Sequence, residues 1–326
     1  MDKKTILVTG IGGNVGQGIL RNCQSSRFSL RLVGTNITPF SAGNHLCDQF
    51  YEVPYADDED YIKIINELVS KEQVSLILPS TDLEAYYLAK HRKNIGCTIA
   101  VSNATTTAIY IDKYLTYQHL RDNKIPFAHS FLPSQYNGEF KNIILKPREG
   151  RGSRGLFINP KNISKFDDSE YLVQELIKGV EITTAFYVTK KNELNGFITF
   201  ERFLENGTTT HCKVVTDYDN ALKLILGKLL AVSKFKGSIN LQSIVTNDGR
   251  IIPFEINCRI SGTNSIRSNF GFKDVEYTLE EHLYNLKPSK PSIRKGVATR
   301  ILMDVIYKEA KDFNDTKTNS SPHFLY

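Results

Sequence analysis

The chain has 326 residues and a formal net charge of +6, from 41 Lys and Arg against 35 Asp and Glu. This small excess is not gathered into one block, which argues against nucleic-acid binding and fits small anionic substrates. No apolar stretch is as long as a membrane span, so membrane insertion is not expected. The five cysteines lack CxxC spacing and no signal-peptide pattern is evident, so a reduced, cytoplasmic protein is expected.

The first 108 residues are predicted to form an open parallel sheet, because short apolar runs alternate with segments of helical periodicity. The predicted strands and helices, in chain order, are strand 6–9, helix 15–23, strand 32–35, helix 58–71, strand 76–79 and helix 83–91.

Glycines between the first strand and the first helix, from Gly10 to Gly16, resemble a dinucleotide-binding turn. That motif needs an acidic residue near the end of the second strand to bind the ribose, and Thr35-Asn36 stands there instead. A tight turn with close helix packing is therefore favoured over NAD binding.

A glycine-rich segment follows the apolar run 143–145. Lys146 ends this predicted strand, and Gly150, Gly152 and Gly155 come soon after. Glycine allows backbone N–H groups to approach an anion closely, so a lysine that enters such a loop can bind phosphates. No Gly-Lys-Ser/Thr follows, so the segment is not a Walker A loop, and a surface turn is the alternative.

A β-hairpin is predicted around Asp248-Gly249, which favours a two-residue turn. That turn pairs Gln242 with Glu255 and Asn240 with Asn257. Residues two apart share a face of a strand, so five polar side chains point one way: Asn240, Gln242, Glu255, Asn257 and Arg259. Three apolar side chains point into a core: Leu241, Phe254 and Ile256. Carboxylate and amide oxygens suit a hard cation such as magnesium.

Two alternatives remain for this hairpin. An Asn247-Asp248 loop would pair Glu255 with Asn240, although the polar face would persist. The face could also be merely solvated, without binding a metal.

The rest of the chain has mixed character. A helix is predicted at 112–123, several strands between 171 and 215, a helix at 221–235 and a closing strand within 296–306. The segment from Lys308 to Tyr326 is polar and is predicted to be poorly ordered or loosely docked.

Taken together and in this order, these segments resemble the ATP-grasp superfamily, particularly carbamoyl-phosphate-synthase-like and other carboxylate–amine ligases. The resemblance extends to about residue 305. It implies an α/β and α+β fold, with a Rossmann-like parallel-sheet domain followed by a two-lobed ATP-grasp domain. The implied boundaries are 1–108 for the first domain, 109–178 and 179–307 for the two lobes, and 308–326 for the polar tail.

The resemblance also implies roles for individual residues. Lys113, in the pair Asp112-Lys113, and Lys146 would contact ATP phosphates. The loop over the phosphates would include Gly150, Gly152, Ser153 and Gly155. The hinge would bind adenine through Gln174, Glu175 and Leu176, and the ribose through Glu181. Gln242, Glu255 and Asn257 resemble the magnesium ligands, with Asn240 beside the nucleotide. Arg259 and Lys146 would be catalytic. Cys258 replaces a common proline of the family.

The implied activity is an ATP-dependent, ADP-forming carbon–nitrogen ligation through an acylphosphate. ATP and Mg²⁺ are the expected cofactors, with two magnesium ions favoured and Mn²⁺ an option. Small carboxylates and amines are the expected substrates, and Arg267 and Arg202 the candidates that bind them. A homodimer is compatible with the family. The alternatives are an ATP-grasp kinase of small molecules and a non-catalytic nucleotide-binding module.

Overall fold

The computed structural model describes residues 3–150 and 154–326. Gly152 and Ser153, both expected in the phosphate loop, lie outside the described residues. Among the described residues, no helix has the length and apolar character needed to cross a bilayer.

The N-terminal part is a five-stranded parallel sheet with the strand order β3-β2-β1-β4-β5. Its elements are β1 (Lys4–Val8), α1 (Asn14–Gln24), β2 (Leu30–Asn36), β3 (Gln49–Glu52), α2 (Tyr61–Lys71), β4 (Val74–Leu78), α3 (Asp82–Lys90) and β5 (Thr98–Ile99). Ile6 and Leu7 belong to different apolar clusters because helices cover both faces of the sheet. The predicted open parallel sheet is confirmed.

A small antiparallel sheet with the order β6-β9-β7-β8 comes next. The elements of this segment are α4 (Ala104–Ile111), α5 (Lys113–Asp122), β6 (Ser130–Phe131), β7 (Ile143–Pro147), β8 (Phe157–Ile158) and β9 (Tyr171–Glu175). Lys146 is therefore the last but one residue of β7, where the apolar run predicted a strand.

A six-stranded antiparallel sheet follows, with the order β14-β13-β10-β11-β12-β15. Its elements and the helices around it are β10 (Val180–Val188), β11 (Leu194–Glu205), β12 (Thr208–Val215), α6 (Asp219–Val232), β13 (Gly237–Val245), β14 (Ile251–Asn257), α7 (Asn264–Arg267), α8 (Asp274–Thr278) and β15 (Val297–Thr299).

The two faces of this sheet differ. One face packs against α6, through Leu222, Leu226 and Leu229. Part of the other face is covered by Phe272 and Tyr277, from the segment around α8. The rest of that second face carries polar side chains and forms the floor of the candidate site.

The β13–β14 hairpin differs from the predicted one at its turn. The loop has three residues, 247–249, because the Thr246 amide donates to the Arg250 carbonyl and Gly249 has a φ of +82°. The predicted two-residue turn is wrong. A bulge between Gln242 and Ser243 then shifts the register back.

Beyond the bulge, Gln242 lies opposite Glu255 and Asn240 opposite Asn257, as predicted. Leu241 and Ile256 are in the core, also as predicted. Phe254, however, is the extra residue of the bulge and lines a cavity rather than the core.

The C-terminal segment returns to the N-terminal sheet domain. The closing strand of the large sheet is confirmed, but β15 is only three residues long, and Val305–Ile306 (β16) instead pairs with Phe324–Leu325 (β17). The Phe313 ring lies 4.4 Å from the Phe40 ring, and the Asn319 amide donates to the Cys47 carbonyl. How firmly this segment is held stays a prediction.

Candidate active site

A cavity of about 240 Å³ lies between the small and the large antiparallel sheet; we call it the cleft. Nine predicted site residues line it: Lys113, Lys146, Gly150, Gln174, Glu175, Leu176, Glu181, Gln242 and Glu255. They come from segments more than 140 residues apart in the chain. The structure thus brings together the glycine-rich segment, the predicted hinge and the polar hairpin face.

One side of the cleft, the lysine wall, consists of Lys113, Lys146 and Gln174. Lys146 is only 4% exposed. Its Nζ donates to Gln174 Oε1 at 2.8 Å and to the Phe254 carbonyl at 3.3 Å. Burial lowers the pKa of the Lys146 ammonium to about 7, although Glu255 raises it. A negatively charged ligand beside Lys146 would therefore stabilise the charged form of this side chain.

Lys113 is positioned by the start of α5. Asp112 caps this helix by accepting from the Tyr114 and Leu115 amides at 2.8 and 3.1 Å. The same carboxylate accepts from Arg148 Nη2 at 2.5 Å. The Arg148 carbonyl in turn accepts from the Lys113 amide at 3.0 Å. Arg148 therefore links the base of the glycine-rich segment to the first turn of α5, a contact that the sequence analysis missed.

The opposite side, the carboxylate wall, consists of Gln242, Asn257 and Glu255. Gln242 Nε2 donates to Asn257 Oδ1 at 3.1 Å, and Asn257 Nδ2 donates to Glu255 Oε1 at 3.0 Å. Arg202 heads this chain, because its Nη2 donates to Gln242 Oε1 at 2.5 Å. The hairpin face is therefore an ordered chain of hydrogen bonds that ends on a carboxylate.

Glu255 stays charged despite its surroundings. Burial alone would raise the pKa of its carboxyl, but the ammonium groups of Lys113 and Lys146, together with the hydrogen bond from Asn257, lower it below the usual value. The two walls thus stabilise each other's charges across the cleft.

Arg202 also contacts Glu181, the candidate ribose ligand, at 2.6 Å. Arg202 was predicted to bind the substrate. In the structure it lies between Glu181 and Gln242, a candidate metal ligand.

The remaining surface of the cleft is apolar. It comprises side chains from both sheets and from the hinge: Ile144, Leu156, Ile177, Leu204, Ile244 and Phe254. The Glu175 and Leu176 amides are already bonded to the carbonyls of His129 and Asn142. Within the described ranges, the amides of Ile177 and Lys178 make no hydrogen bond. The predicted hinge thus offers two backbone N–H donors beside these apolar side chains, which we call the apolar slot.

Arg259 lies at the end of the carboxylate wall that faces the N-terminal domain. Its Nη2 and Nε donate to Asp82 Oδ2 at 2.7 and 3.1 Å. Asp82 opens α3 directly after Thr81, whose side chain forms a capping box with Glu84. The sequence analysis did not predict this cap, and nothing in the sequence indicated that the Asp82 carboxylate reaches Arg259.

Six predicted residues within the described ranges do not line the cavity itself: Arg202 and Arg259, described above, and Asn257, Gly155, Asn240 and Arg267. Asn257 contributes through its hydrogen bonds, and Gly155 lies next to Pro147 with a φ of +68°. Asn240 is buried, and its Oδ1 accepts from the Thr183 and Ser261 hydroxyls.

Arg267, the last of these, is 0% exposed and pairs with Asp274 at 2.5 Å. The structure therefore gives Arg267 a buried structural contact and not a position facing a substrate.

Residues 6–100 match the family model of the PylC-like N-terminal domain, and residues 110–263 match that of the ATP-grasp domain. No curated protein matches the chain in sequence.

Solved structures share the fold. N5-carboxyaminoimidazole synthetase from Staphylococcus aureus, complexed with ADP, has a TM-score of 0.75 at 15% identity, covering 92% of this chain and 83% of that chain. The biotin carboxylase domain of Hydrogenobacter thermophilus 2-oxoglutarate carboxylase has a TM-score of 0.72 at 12% identity, with coverages of 98% and 77%. L-amino acid ligase from Bacillus licheniformis has a TM-score of 0.69 at 13% identity, with coverages of 89% and 76%.

Proposed function

Because the chain belongs to the ATP-grasp superfamily, we propose that it is an ATP-dependent, ADP-forming ligase that joins a carboxylate to an amine. The observation that carries the proposal is the cleft itself, with ammonium groups on one wall and a charged carboxylate on the other. This arrangement suits a nucleotide whose phosphates need both cations and a metal.

The apolar slot is the proposed adenine site. Its aliphatic side chains and Phe254 can cover a planar base, while the unbonded amides of Ile177 and Lys178 can donate to ring nitrogens. Glu181 lies on the cleft surface beside Arg202, where it can accept from ribose hydroxyls. Lys113, Lys146 and the segment that includes Gly150 are the proposed phosphate ligands.

The carboxylate wall fits magnesium by its chemistry. Mg²⁺ prefers oxygen ligands, keeps several waters and needs few protein groups when phosphates complete its shell. Glu255 Oε2 accepts no hydrogen bond from any described residue, so one carboxylate oxygen is available. The amide oxygens of Gln242 and Asn257 become available if these side chains turn about their last bond. Bound Mg²⁺ would supply charge neutralisation at the β- and γ-phosphates.

In the proposed first step, a substrate carboxylate attacks the γ-phosphorus of ATP, giving an acylphosphate and ADP. Lys113 and Lys146 hold the phosphate oxygens, so charge is neutralised without covalent help from the protein. Arg259, oriented by Asp82, stabilises the transferred phosphoryl group. In the second step an amine attacks the acyl carbon, and phosphate leaves.

The test is ATP turnover with Mg²⁺ against a panel of carboxylates, alone and with pooled amines, with ADP and phosphate measured separately. A ligase releases phosphate only when a carboxylate and an amine are both present. ADP formation with phosphate retained on a stable product would favour the kinase alternative. Tight ATP binding without turnover on any carboxylate would favour the binding-module alternative.

A further inference from the structure

Four arginines lie on the strands of the large sheet or in the segments that follow them, and three of them have carboxylate partners. Arg202 pairs with Glu181, Arg259 with Asp82 and Arg267 with Asp274, at distances between 2.5 and 2.7 Å. Arg300 differs, because no described Asp or Glu lies within ion-pair distance of its guanidinium. It is therefore the cation of this group whose charge the described protein leaves uncompensated.

Arg300 lies on the same face of the sheet as the cleft. Its amide donates to the Thr210 carbonyl at 2.7 Å, continuing the β12–β15 register that pairs Cys212 with Ala298. Cys212 also pairs with Arg202 across the β11–β12 ladder. Directly paired residues and residues two apart share a face, so the Arg300 and Arg202 side chains project from the same side.

The guanidinium of Arg300 uses few of its donors. Nη2 donates to the Gly262 carbonyl, and Nε is buried without a partner among the described residues. Burial lowers the pKa of Arg300; Cys212 raises it by a smaller amount, and the positive charge of Arg21 lowers it by less still. A half-buried guanidinium with unused donors is costly unless an anion binds to it.

A second polar group approaches the same place from the N-terminal domain. A Cβ built on Gly262 would lie 3.2 Å from Asn14 Nδ2, so the Asn14 side chain lies directly beside Gly262. Asn14 is the first residue of α1, after the N-terminal glycine-rich turn. In the part of the chain that the structure describes, its side-chain amide makes no hydrogen bond, so it too is available to a ligand.

The distance to the reacting centre is short. Gly262 is three residues after Arg259, and three residues span at most about 11 Å. The Cα atoms of Arg259 and Gly262 therefore lie within about 11 Å of each other, a separation that a small molecule can span.

We propose that Arg300 and Asn14 bind a second, unreactive carboxylate of the substrate that is phosphorylated. This assignment rests on the proposed ligase function and narrows its substrate to small molecules with two carboxylates, such as short dicarboxylates and acidic amino acids. A carboxylate fits better than a neutral group because the planar guanidinium can bind both of its oxygens at once. The N-terminal glycine-rich turn thereby serves the substrate and not a dinucleotide.

The test compares each dicarboxylate with its monoamide, which lacks one carboxylate. Succinate, glutarate, L-aspartate and L-glutamate, and their monoamides, are titrated calorimetrically into the full chain loaded with MgADP. We expect at least one dicarboxylate to bind about 10- to 100-fold more tightly than its monoamide, as for a hydrogen-bonded charged group. Arg300→Gln should abolish this preference, Arg300→Lys should keep part of it, and Asn14→Asp should reverse it.

Arg294→Gln is the matched control, since Arg294 is an exposed arginine of the same segment. It should keep the preference, and all variants should bind MgADP like the wild type. Equal affinity for both members of every pair, or an equal loss for both in Arg300→Gln, would overturn the assignment while leaving the ligase proposal intact. Failure of the wild type to bind MgADP would instead remove the ligase proposal and this assignment with it.

Discussion

The two walls of the cleft are built on different principles. On the lysine wall, the ammonium of Lys146 contacts neutral oxygens of Gln174 and Phe254, so its charge is not neutralised by a direct ion pair. On the carboxylate wall, Glu255 is held by a chain of amides that starts at Arg202. The lysine wall is therefore ready to bind an anion, while the side chains of the carboxylate wall are held by hydrogen bonds to one another, and the two amides must turn before they can bind a metal. This difference predicts that the two walls respond differently to substitution.

Loss of charge on the carboxylate wall should have the largest effect. Glu255→Gln keeps the shape of the side chain but removes the proposed anionic metal ligand, so kcat should fall by at least about 10²–10³-fold, as when an electrostatic stabiliser is lost. MgATP affinity should fall by less than about tenfold, because the lysines still hold the phosphates. Glu201→Gln is the control, since Glu201 pairs with Lys213 away from the cleft. Full activity of Glu255→Gln would refute the metal assignment.

The contact between Arg259 and the N-terminal domain should have the next largest effect. Asp82→Asn removes the charge that orients the guanidinium, and a small displacement of a catalytic group costs up to about 10²-fold in rate. We expect kcat to fall by about 10- to 100-fold at unchanged ATP affinity, measured by steady-state kinetics and by nucleotide titration. Asp57→Asn, at an exposed position of the same domain, should have no effect. If Asp82→Asn weakened ATP binding, Arg259 would instead contact the bound nucleotide and not the transferred phosphoryl group.

The contact that supports the lysine wall should have a moderate effect. Asp112→Asn keeps a good helix cap but loses the charge that binds Arg148, and Arg148→Gln removes the other partner. Each change should lower MgATP affinity by about tenfold. The double variant should be little weaker than either, with a coupling energy of about 1 kcal/mol. Strict additivity in this cycle would show that the pair does not position Lys113 and the loop as a unit.

The smallest predicted effect is the uptake of a proton when ATP binds. The pKa of Lys146 is lowered to about 7 by burial, so the ammonium is mostly deprotonated at pH 8 when no nucleotide is bound. Phosphates raise the pKa again, and ATP binding at pH 8 should take up as much as about one proton, but hardly any at pH 6. Calorimetry in two buffers of different ionisation enthalpy measures this uptake. Lys146→Arg should abolish it, since a guanidinium stays charged. Equal heats in both buffers at pH 8 would contradict the prediction.

Local patterns were sufficient for the parallel sheet and for four of the nine predicted residues that line the cleft, whereas the other five were predicted only from the family resemblance. Alternating apolar runs, the glycine-rich segment and the polar hairpin face are signals over short stretches, and the structure places most of these residues together. The hairpin pairing at Glu255 was predicted correctly from a wrong turn, because the longer loop and the bulge shift the register by one residue in opposite directions. Nothing in a binary pattern of apolar and polar residues reveals a bulge.

The pairing of charged side chains was not predictable. The local sequence does not distinguish Arg267 from Arg300, and only the fold shows that Asp274 pairs with Arg267 and that no described carboxylate pairs with Arg300. The contact between Asp82 and Arg259 joins residues 177 positions apart. Charge partners across such distances depend on how the elements pack, which the local sequence does not encode.

The bulge in β14 has a consequence for how this site can change. In a regular strand, neighbouring side chains face opposite ways, so a single strand cannot present two consecutive residues to one ligand. Here Phe254 and Glu255 both line the cleft, one beside the apolar slot and the other on the carboxylate wall. A hairpin rebuilt with a regular two-residue turn would keep Glu255 in place and turn Phe254 away. The proposed recognition of the base and the proposed binding of the metal could therefore be altered independently, although they are assigned to two adjacent residues.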